Sequence, residues 1–222
     1  MIDGPALTDL RTAAVSVTAV RDALLDSDAP LDAVVYGAGH QGVAHTRTVR
    51  AVLEGRRGIR SVSAVVRDPS GVADASEFDR VLRAGGDEAA AATAAAGLIV
   101  CATTARSPLF DGATVRDDAV VIAVGSHEPD ARELDAALLG RSDVIVEDEE
   151  VALRECGDVV MAIAEGVLTA AELHPMADVV AGRARLHSDR PLVFKSAGMP
   201  WQDLVVAAAI AGAFEAQRGA AR

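Results

Sequence analysis

The most constraining feature of the chain is the segment GAGHQG at residues 37–42, a G-x-G-x-x-G pattern. The apolar run LDAVVY at 31–36 predicts a strand before it, and the residues after it predict a helix that ends at Gly55. In such a unit the first glycine permits a tight turn, the second admits a pyrophosphate to the backbone, and the third lets the helix pack closely on the strand. The pattern therefore predicts a dinucleotide-binding loop.

The other apolar runs predict a parallel sheet. Further strands are expected at 61–66, within 72–97, and at 98–102, 118–124, 143–147 and 192–198, and helices at 8–25 with Thr8 as N-cap, in the alanine-rich run before residue 97, between 148 and 181, and at 201–217. Several of these strands are continuously apolar rather than alternating, which indicates that helices cover both faces of the sheet. The sequence thus predicts an α/β fold with a Rossmann-type, doubly wound parallel sheet.

Composition narrows the class of protein. The chain has 222 residues, of which 50% are hydrophobic, and it can bury the core of one large domain. Its net charge of -12 argues against nucleic acid or an anionic membrane surface as a partner. No apolar run reaches the roughly 20 residues of a membrane-spanning helix, and the N-terminus does not resemble a secretion signal. A cytoplasmic protein is therefore expected.

The cysteines and the single lysine point to no site of their own. Cys101 and Cys156 lack the spacing of a metal site or a disulfide framework, so we expect two buried, reduced thiols and no bound metal. Lys195 is the only lysine of the chain. It is interpreted as a surface charge at the end of a strand.

The identity of the dinucleotide depends on the end of the second strand. A carboxylate there binds the ribose 2'-hydroxyl of NAD, whereas a guanidinium pairs with the 2'-phosphate of NADP. Arg67 has the better position, so NADPH is favoured over NADH. The alternative is that Asp68 serves the ribose and Arg67 is a solvated strand end.

Five segments in order resemble the ornithine cyclodeaminase and mu-crystallin family: LTDLRTAAVS, GAGHQGVAH, IVCATTARSPLF, AVGSHEPDARELD and VFKSAGMPWQDL. The resemblance covers nearly the whole chain. It implies a Rossmann domain completed by a smaller domain that binds a small imino- or amino-acid substrate and forms a homodimer. We accordingly expect an NAD(P)-binding Rossmann domain at 28–184 and parts of the substrate and dimerisation region at 1–27 and 185–222.

The resemblance also implies site residues. Arg11 and Thr12 would lie near the substrate carboxylate and the cofactor, and a guanidinium can bind a carboxylate through two hydrogen bonds. A surface arginine at a helix start is the alternative for Arg11. The other expected cofactor contacts are Gly37, Ala38, Gly39, His40, Gln41 and Gly42, then Arg67 and Asp68, then Ala102, Thr103 and Thr104, then Val124, Gly125 and Ser126, and finally Ser196, Gly198 and Met199.

His127 stands where the cyclodeaminases proper carry an aspartate as acid–base group. Histidine can transfer protons near neutral pH, so Arg11 and His127 are the candidate catalytic residues; a bystander loop histidine is the alternative. The replacement argues against ornithine cyclisation. It favours the branch of ketimine and pyrroline-2-carboxylate reductases, which reduce a C=N bond with NAD(P)H.

Family members carry most of the small domain, with a catalytic lysine, ahead of the segment that contains Arg11. This chain begins where that region would already have ended, so we expect most of the small domain to be missing. Two rival functions therefore stay open. One is ornithine cyclisation with NAD recycled within a turnover, and the other is an NAD(P)-binding module without turnover.

Overall fold

The structure is a computed structural model that describes residues 3–220. Within that range the elements are α1 (Gly4–Leu25), β1 (Leu31–Tyr36), α2 (His40–Leu53), β2 (Ile59–Val66), β3 (Arg80–Arg83), α3 (Asp87–Ala95), β4 (Leu98–Cys101), β5 (Val120–Ala123), α4 (Ala136–Leu139), β6 (Asp143–Val146), α5 (Glu149–Glu155), α6 (Gly157–Ala164), β7 (Leu173–Pro175), α7 (Met176–Val180), β8 (Leu192–Lys195) and α8 (Pro200–Ala220). Residues 1–2 and 221–222, the outer ends of the two predicted terminal segments, lie outside the described residues.

One eight-stranded sheet in the order β3-β2-β1-β4-β5-β8-β6-β7 forms the centre of the fold. Every strand pair is parallel. The strand order reverses between β1 and β4, where Tyr36 pairs with Cys101 at the carboxyl ends. Open α/β sheets bind ligands outside such a reversal point. The predicted Rossmann-type, doubly wound fold is confirmed.

Helices cover both faces of the sheet and create two cores. One core contains Val17 and Leu24 of α1 with Val49 of α2. The other contains Leu138 of α4 and Val159 of α6. Because both faces are buried, strands such as β4 and β5 are apolar at every position, which is the pattern seen in the sequence.

Two details at the edges of the elements differ from the sequence prediction. Helix α1 begins at Gly4 because the Asp3 carboxylate accepts a hydrogen bond from the Ala6 amide at 2.9 Å, so Thr8 as N-cap is wrong. The sequence also gave no indication of β7, a three-residue edge strand that ends in Pro175. Proline is tolerated at such an edge because its missing N–H breaks no central ladder.

Strand β8 lies inside the sheet although it comes from the predicted terminal segment 185–222. Leu192 pairs with Val120 of β5 on one side and with Asp143 of β6 on the other. Phe194 is fully buried. The domain boundary at residue 185 stays a prediction, but the segment beyond it supplies a central strand.

The terminal helix α8 packs against α1 and leaves much of its surface in solvent. Its exposed apolar side chains are Trp201, Leu204, Val205 and Phe214. Among the helices of residues 3–220, none has the length and apolar character needed to cross a membrane.

Candidate functional site

A cleft of about 1660 Å³ opens at the carboxyl ends of β1, β2 and β4. It lies where the strand order reverses. The predicted cofactor residues that line it are Gly37, Ala38, Gly39, His40, Arg67, Asp68, Ala102, Thr103 and Thr104. The fold therefore brings three sequence-distant groups of predicted residues to one cleft.

The three glycines of the loop have different surroundings. Gly37 has a φ of +98°, and a Cβ there would lie 2.5 Å from the Ala102 carbonyl oxygen. A Cβ on Gly42 would lie 2.0 Å from the Gly37 carbonyl oxygen. Gly39 differs because a Cβ there would meet no atom within 4 Å. The protein's own packing thus requires two of the glycines, and the third leaves open space at the cleft.

Helix α2 points its amino end at this open space. Its N-cap is Gly39, which has no side chain to cap the helix, and its first turn contains no acidic residue. The first amides and the helix dipole therefore make a site for an anion. Asp9 of α1 approaches the same turn, where Gln41 Nε2 donates to it at 2.9 Å and His40 Nδ1 lies 3.3 Å away. The open cradle above Gly39 fits the pyrophosphate of a dinucleotide.

The end of β2 presents one arginine and one occupied carboxylate. Arg67 is exposed and lines the cleft, and its carbonyl oxygen accepts a hydrogen bond from Arg83. Asp68 accepts hydrogen bonds from the Ser70 hydroxyl at 2.8 Å and the Ser70 amide at 3.1 Å. These bonds, the hydroxyl first, lower the pKa of the Asp68 carboxyl. Both bonds end on Oδ1, so one oxygen of the Asp68 carboxylate is engaged in its own turn.

Glu133 joins the loops that follow β4 and β5. Its carboxylate accepts hydrogen bonds from the Thr103 amide at 2.8 Å, the Thr103 hydroxyl at 2.7 Å and the Gly125 amide at 2.7 Å. The side chain is completely buried, and burial is the main cause that raises the pKa of Glu133. The sequence prediction missed this residue. Its only indication was its place in the family-like segment AVGSHEPDARELD.

Lys195 is buried, so its interpretation as a surface charge is wrong. Its Nζ donates to the Ser126 carbonyl oxygen at 2.5 Å and lies 3.3 Å from the Asp158 carboxylate. Asp158 also accepts the Ser126 hydroxyl at 2.5 Å. The reason is the position of β8, because a lysine at the end of a central strand is surrounded by neighbouring loops rather than by solvent.

The loop after β8 carries a second carboxylate-centred network. Glu147 accepts hydrogen bonds from the Ser196 hydroxyl at 3.0 Å, the Gly198 amide at 2.8 Å and Gln202 Nε2 at 2.6 Å. The Met199 amide in turn donates to Gln202 Oε1 at 3.3 Å. The hydroxyls of Ser126 and Ser196 are both engaged with carboxylates, so their cofactor contacts stay predictions.

Arg11 meets this loop from α1. A Cβ on Gly198, which has a φ of +82°, would lie 2.8 Å from Arg11 Nη1. Arg11 Nη1 donates to Gln202 Oε1 at 3.2 Å, and Arg11 Nε lies 3.3 Å from the Asp203 carboxylate. The structure therefore brings Arg11 against Gly198, and their shared role in a pocket stays a prediction. In this arrangement the Asp203 carboxylate lies against the Arg11 guanidinium.

The other predicted residues are less closely tied to the cleft. His127 is exposed in the loop after β5. Thr12 is buried in α1, and the Val124 amide donates to the Cys101 carbonyl oxygen. Cys101 and Cys156 are free and buried, as predicted, and burial raises the pKa of both thiols. Within residues 3–220 no group of three or more His, Cys, Asp or Glu side chains is arranged to hold a metal ion.

Comparisons with known proteins agree with this geometry. The profile of the Ornithine cyclodeaminase/mu-crystallin family matches residues 1–217. A Delta(1)-pyrroline-2-carboxylate/Delta(1)-piperideine-2-carboxylate reductase of Azospirillum brasilense is 31% identical, over 98% of this chain and 66% of its own length. A Delta(1)-pyrroline-2-carboxylate reductase of Paracoccus denitrificans is 34% identical, over 95% of this chain and 67% of its own length.

A solved structure shows the same fold. Thermococcus litoralis Delta(1)-pyrroline-2-carboxylate reductase, in complex with NADH and L-proline, superposes with a TM-score of 0.75 and 27% identity. The match covers 91% of this chain and 63% of that one. The chain thus spans about two thirds of the length of the curated relatives it matches.

Proposed function

The chain belongs to the ornithine cyclodeaminase/mu-crystallin family, and from that membership we propose that it acts in the NAD(P)H-dependent reduction of a cyclic or linear ketimine such as pyrroline-2-carboxylate. The observation that carries the proposal is the cradle formed by Gly37, Gly39 and Gly42 at the amino end of α2. The names of the relatives supply the substrate class.

Each part of the site has a role in this reaction. NAD(P)H, when bound, supplies a hydride for the imine carbon. Gly39 and the first amides of α2 hold its pyrophosphate. Arg11 binds the substrate carboxylate. The substrate carboxylate displaces Asp203 from the guanidinium, because a guanidinium can bind either carboxylate. His127 carries the proton that the imine nitrogen receives.

We assign NADPH as the preferred cofactor. The support is that Arg67 lines the cleft at the end of β2, while Asp68 is engaged with Ser70. A guanidinium at that point pairs with the 2'-phosphate of NADPH. Ser70 occupies one of the two Asp68 oxygens, which leaves fewer acceptor sites for the ribose hydroxyls of NADH.

We also assign a homodimer. Four large apolar side chains of α8 are exposed, among them Leu204 with 71% of its surface in solvent. Leu10 of α1, the helix that packs on α8, is exposed as well. Exposed large apolar side chains on one helix are characteristic of protein–protein contacts, and most oligomers of identical chains are twofold symmetric.

The test is to follow the absorbance of the reduced nicotinamide with pyrroline-2-carboxylate or piperideine-2-carboxylate as substrate. Net consumption of NADPH supports reduction, whereas turnover of ornithine without net consumption supports the cyclodeaminase. His127→Ala is expected to lower kcat by about 10² to 10⁴, and Arg11→Ala to raise the KM for the imine.

Two matched variants serve as controls. Arg60→Ala removes an exposed arginine from the amino end of β2, and His187→Ala removes a histidine that bonds to Asp143 at the amino end of β6. Both are expected to retain activity because they lie at the amino ends of their strands, whereas the cleft lies at the carboxyl ends. Binding of NADPH without consumption of either imine overturns the reductase proposal.

A further inference from the structure

Glu133 connects the loop after β4 to the loop after β5 from inside the fold, whereas Arg106 pairs with Glu128 and Asp130 across the same two loops at the surface. We propose that Glu133 is a positioning residue for the nucleotide site: its carboxylate holds the loop after β4, which lines the cleft, against the loop after β5. The inference rests on the proposed nucleotide binding. It concerns a residue that contacts no reacting atom.

The loops lie in series along the carboxyl edge of the sheet. The glycine loop touches the next loop, since a Cβ on Gly37 would lie 2.5 Å from the Ala102 carbonyl oxygen. That loop touches the one after β5, since a Cβ on Gly125 would lie 2.0 Å from the Thr103 carbonyl oxygen. A shift of the loop at Gly125 is therefore passed on through Thr103 to the loop that faces Gly37.

Glu133 fixes this contact with both of its oxygens. Oε1 accepts the amide and the hydroxyl of Thr103, and Oε2 accepts the amide of Gly125. A Cβ on Gly125 would also lie 2.5 Å from Glu133 Oε1, so the carboxylate fills the space between the loops. Hydrogen bonds to a charged acceptor are stronger than neutral ones, and here three converge on one side chain.

The backbone that carries Glu133 is itself held in place. The Glu133 and Leu134 amides donate to Asp158 Oδ1 at 2.7 and 2.8 Å. Asp158 Oδ2 accepts the Ser126 hydroxyl and lies 3.3 Å from Lys195 Nζ. The support under Glu133 is therefore a buried ionic network in the core rather than a mobile surface segment.

The chemistry requires a carboxylate at this position. Only a carboxylate offers two acceptor oxygens at this side-chain length. The isosteric amide of glutamine has one acceptor atom and one donor atom, so it can accept from the Thr103 amide or from the Gly125 amide but not from both. Glu133→Gln therefore releases one loop while it keeps the shape of the side chain.

The experiment compares Glu133→Gln with Asp143→Asn. Asp143 is a suitable control because it is also a buried carboxylate that accepts hydrogen bonds, from the His187 amide at 2.5 Å and His187 Nδ1 at 2.9 Å. It differs from Glu133 because it lies at the amino end of β6, away from the cleft. Both variants are expected to melt at lower temperature. Only Glu133→Gln is expected to bind NADPH more weakly, by about tenfold, as for the loss of hydrogen bonds to a charged group.

Hydrogen exchange without nucleotide gives a readout that does not depend on the proposed function. Amides of 102–105 and 124–127 are expected to exchange faster in Glu133→Gln and at the wild-type rate in Asp143→Asn. Thr103→Val is the second variant, because it removes one of the three bonds without changing the carboxylate. Thr103→Val is expected to weaken NADPH binding by a few fold. If Glu133→Gln does not fold, the proposal is tested with Thr103→Val instead.

An affinity for NADPH that stays within about twofold of the wild type in Glu133→Gln or, where that variant does not fold, in Thr103→Val overturns the proposal. An equal loss of affinity in Asp143→Asn overturns it as well, since the effect then reflects general destabilisation. If the wild-type chain binds neither NADPH nor NADH, the proposed function fails. Hydrogen exchange at the two loops then still tests whether Glu133 holds them together, independently of nucleotide binding.

Discussion

Lys195 Nζ lies 3.3 Å from the Asp158 carboxylate, and both side chains are entirely excluded from solvent. An ion pair in such surroundings is costly to desolvate, so its partners depend on each other. The pair also joins three parts of the fold, because Lys195 ends β8, Asp158 lies in α6, and both bond to the connection between β5 and α4, which contains Ser126 and Glu133.

Removal of the cation alone is expected to destabilise the fold strongly. Lys195→Met leaves Asp158 and Glu133 as uncompensated buried carboxylates, and the expected loss in free energy of unfolding is about 3–5 kcal/mol. The double variant with Asp158→Asn should recover part of that loss. Urea unfolding of the four forms of this cycle measures the coupling, and strictly additive losses would contradict a mutually dependent pair.

The three glycines of the loop are expected to respond differently to alanine. Gly39→Ala adds a methyl group to open space, so it should leave stability unchanged and abolish or strongly weaken NADPH binding. Gly42→Ala collides with the Gly37 carbonyl and should also lower stability by about 1–3 kcal/mol. Thermal melts with and without NADPH separate the two cases. Gly212→Ala in α8 is the control, and unchanged NADPH binding in Gly39→Ala would remove the case for the cradle.

Arg67→Ala should weaken NADPH by roughly 1–3 kcal/mol and leave NADH almost unaffected, because only NADPH offers a 2'-phosphate to the guanidinium. Fluorescence titration of the wild-type and variant chains with both nucleotides measures the difference. Arg60→Ala, at the amino end of the strand that Arg67 follows, should change neither affinity. Equal affinities of the wild type for the two nucleotides speak against Arg67 as a phosphate ligand.

His45 should make the fold sensitive to acid. Its ring is fully buried in α2 and donates from Nδ1 to the Gln41 carbonyl, and burial lowers its pKa from 6.5 to about 4. The unfolded chain therefore binds a proton more readily than the folded chain, so stability is complete above pH 6.5 and falls as the pH drops towards 4. The full effect is on the order of 3 kcal/mol.

Thermal unfolding at a series of pH values checks this expectation. His45→Gln should have a flatter stability curve between pH 6.5 and 4 than the wild type. The exposed His127→Gln should follow the wild-type curve. Parallel curves for His45→Gln and the wild type would show that His45 does not control the acid response.

Leu204→Glu should convert a dimer to a monomer, because a buried carboxylate in an apolar interface is costly. Sedimentation velocity at micromolar concentration measures the state of each chain. Leu153→Glu, which changes an exposed leucine of α5, should leave the sedimentation coefficient unchanged. A wild-type chain that sediments as a monomer contradicts the proposed homodimer.

The sequence predicted the sheet and the glycine loop because both depend on local patterns. Strands such as β4 are continuously apolar, and the G-x-G-x-x-G spacing is set by the turn itself. Asp3 could have been predicted as the N-cap in place of Thr8, because Pro5 in the first turn favours a helix start there. The weak strand within 72–97 was harder, since β3 has only four residues at the sheet edge.

The charged core of the site could not be predicted in the same way. Lys195 is buried only because its chain position brings it beside Ser126, which is 69 residues away. Glu133 and Thr103 are likewise separated by 30 residues. A charged residue gains or loses solvent through such distant partners, and no local pattern records them.

Because β8 lies between β5 and β6 in the sheet, the strands cannot assemble in the order in which they are synthesised. Strands β5 and β6 are finished early, yet each must wait for β8, since Ala123 and Lys195 are 72 residues apart. Until β8 arrives, a growing chain presents two open strand edges towards each other, and unpaired edges invite wrong partners. Nascent chains that stop before Leu192 would hold five strands on one side and two on the other, with the gap between them open to another molecule.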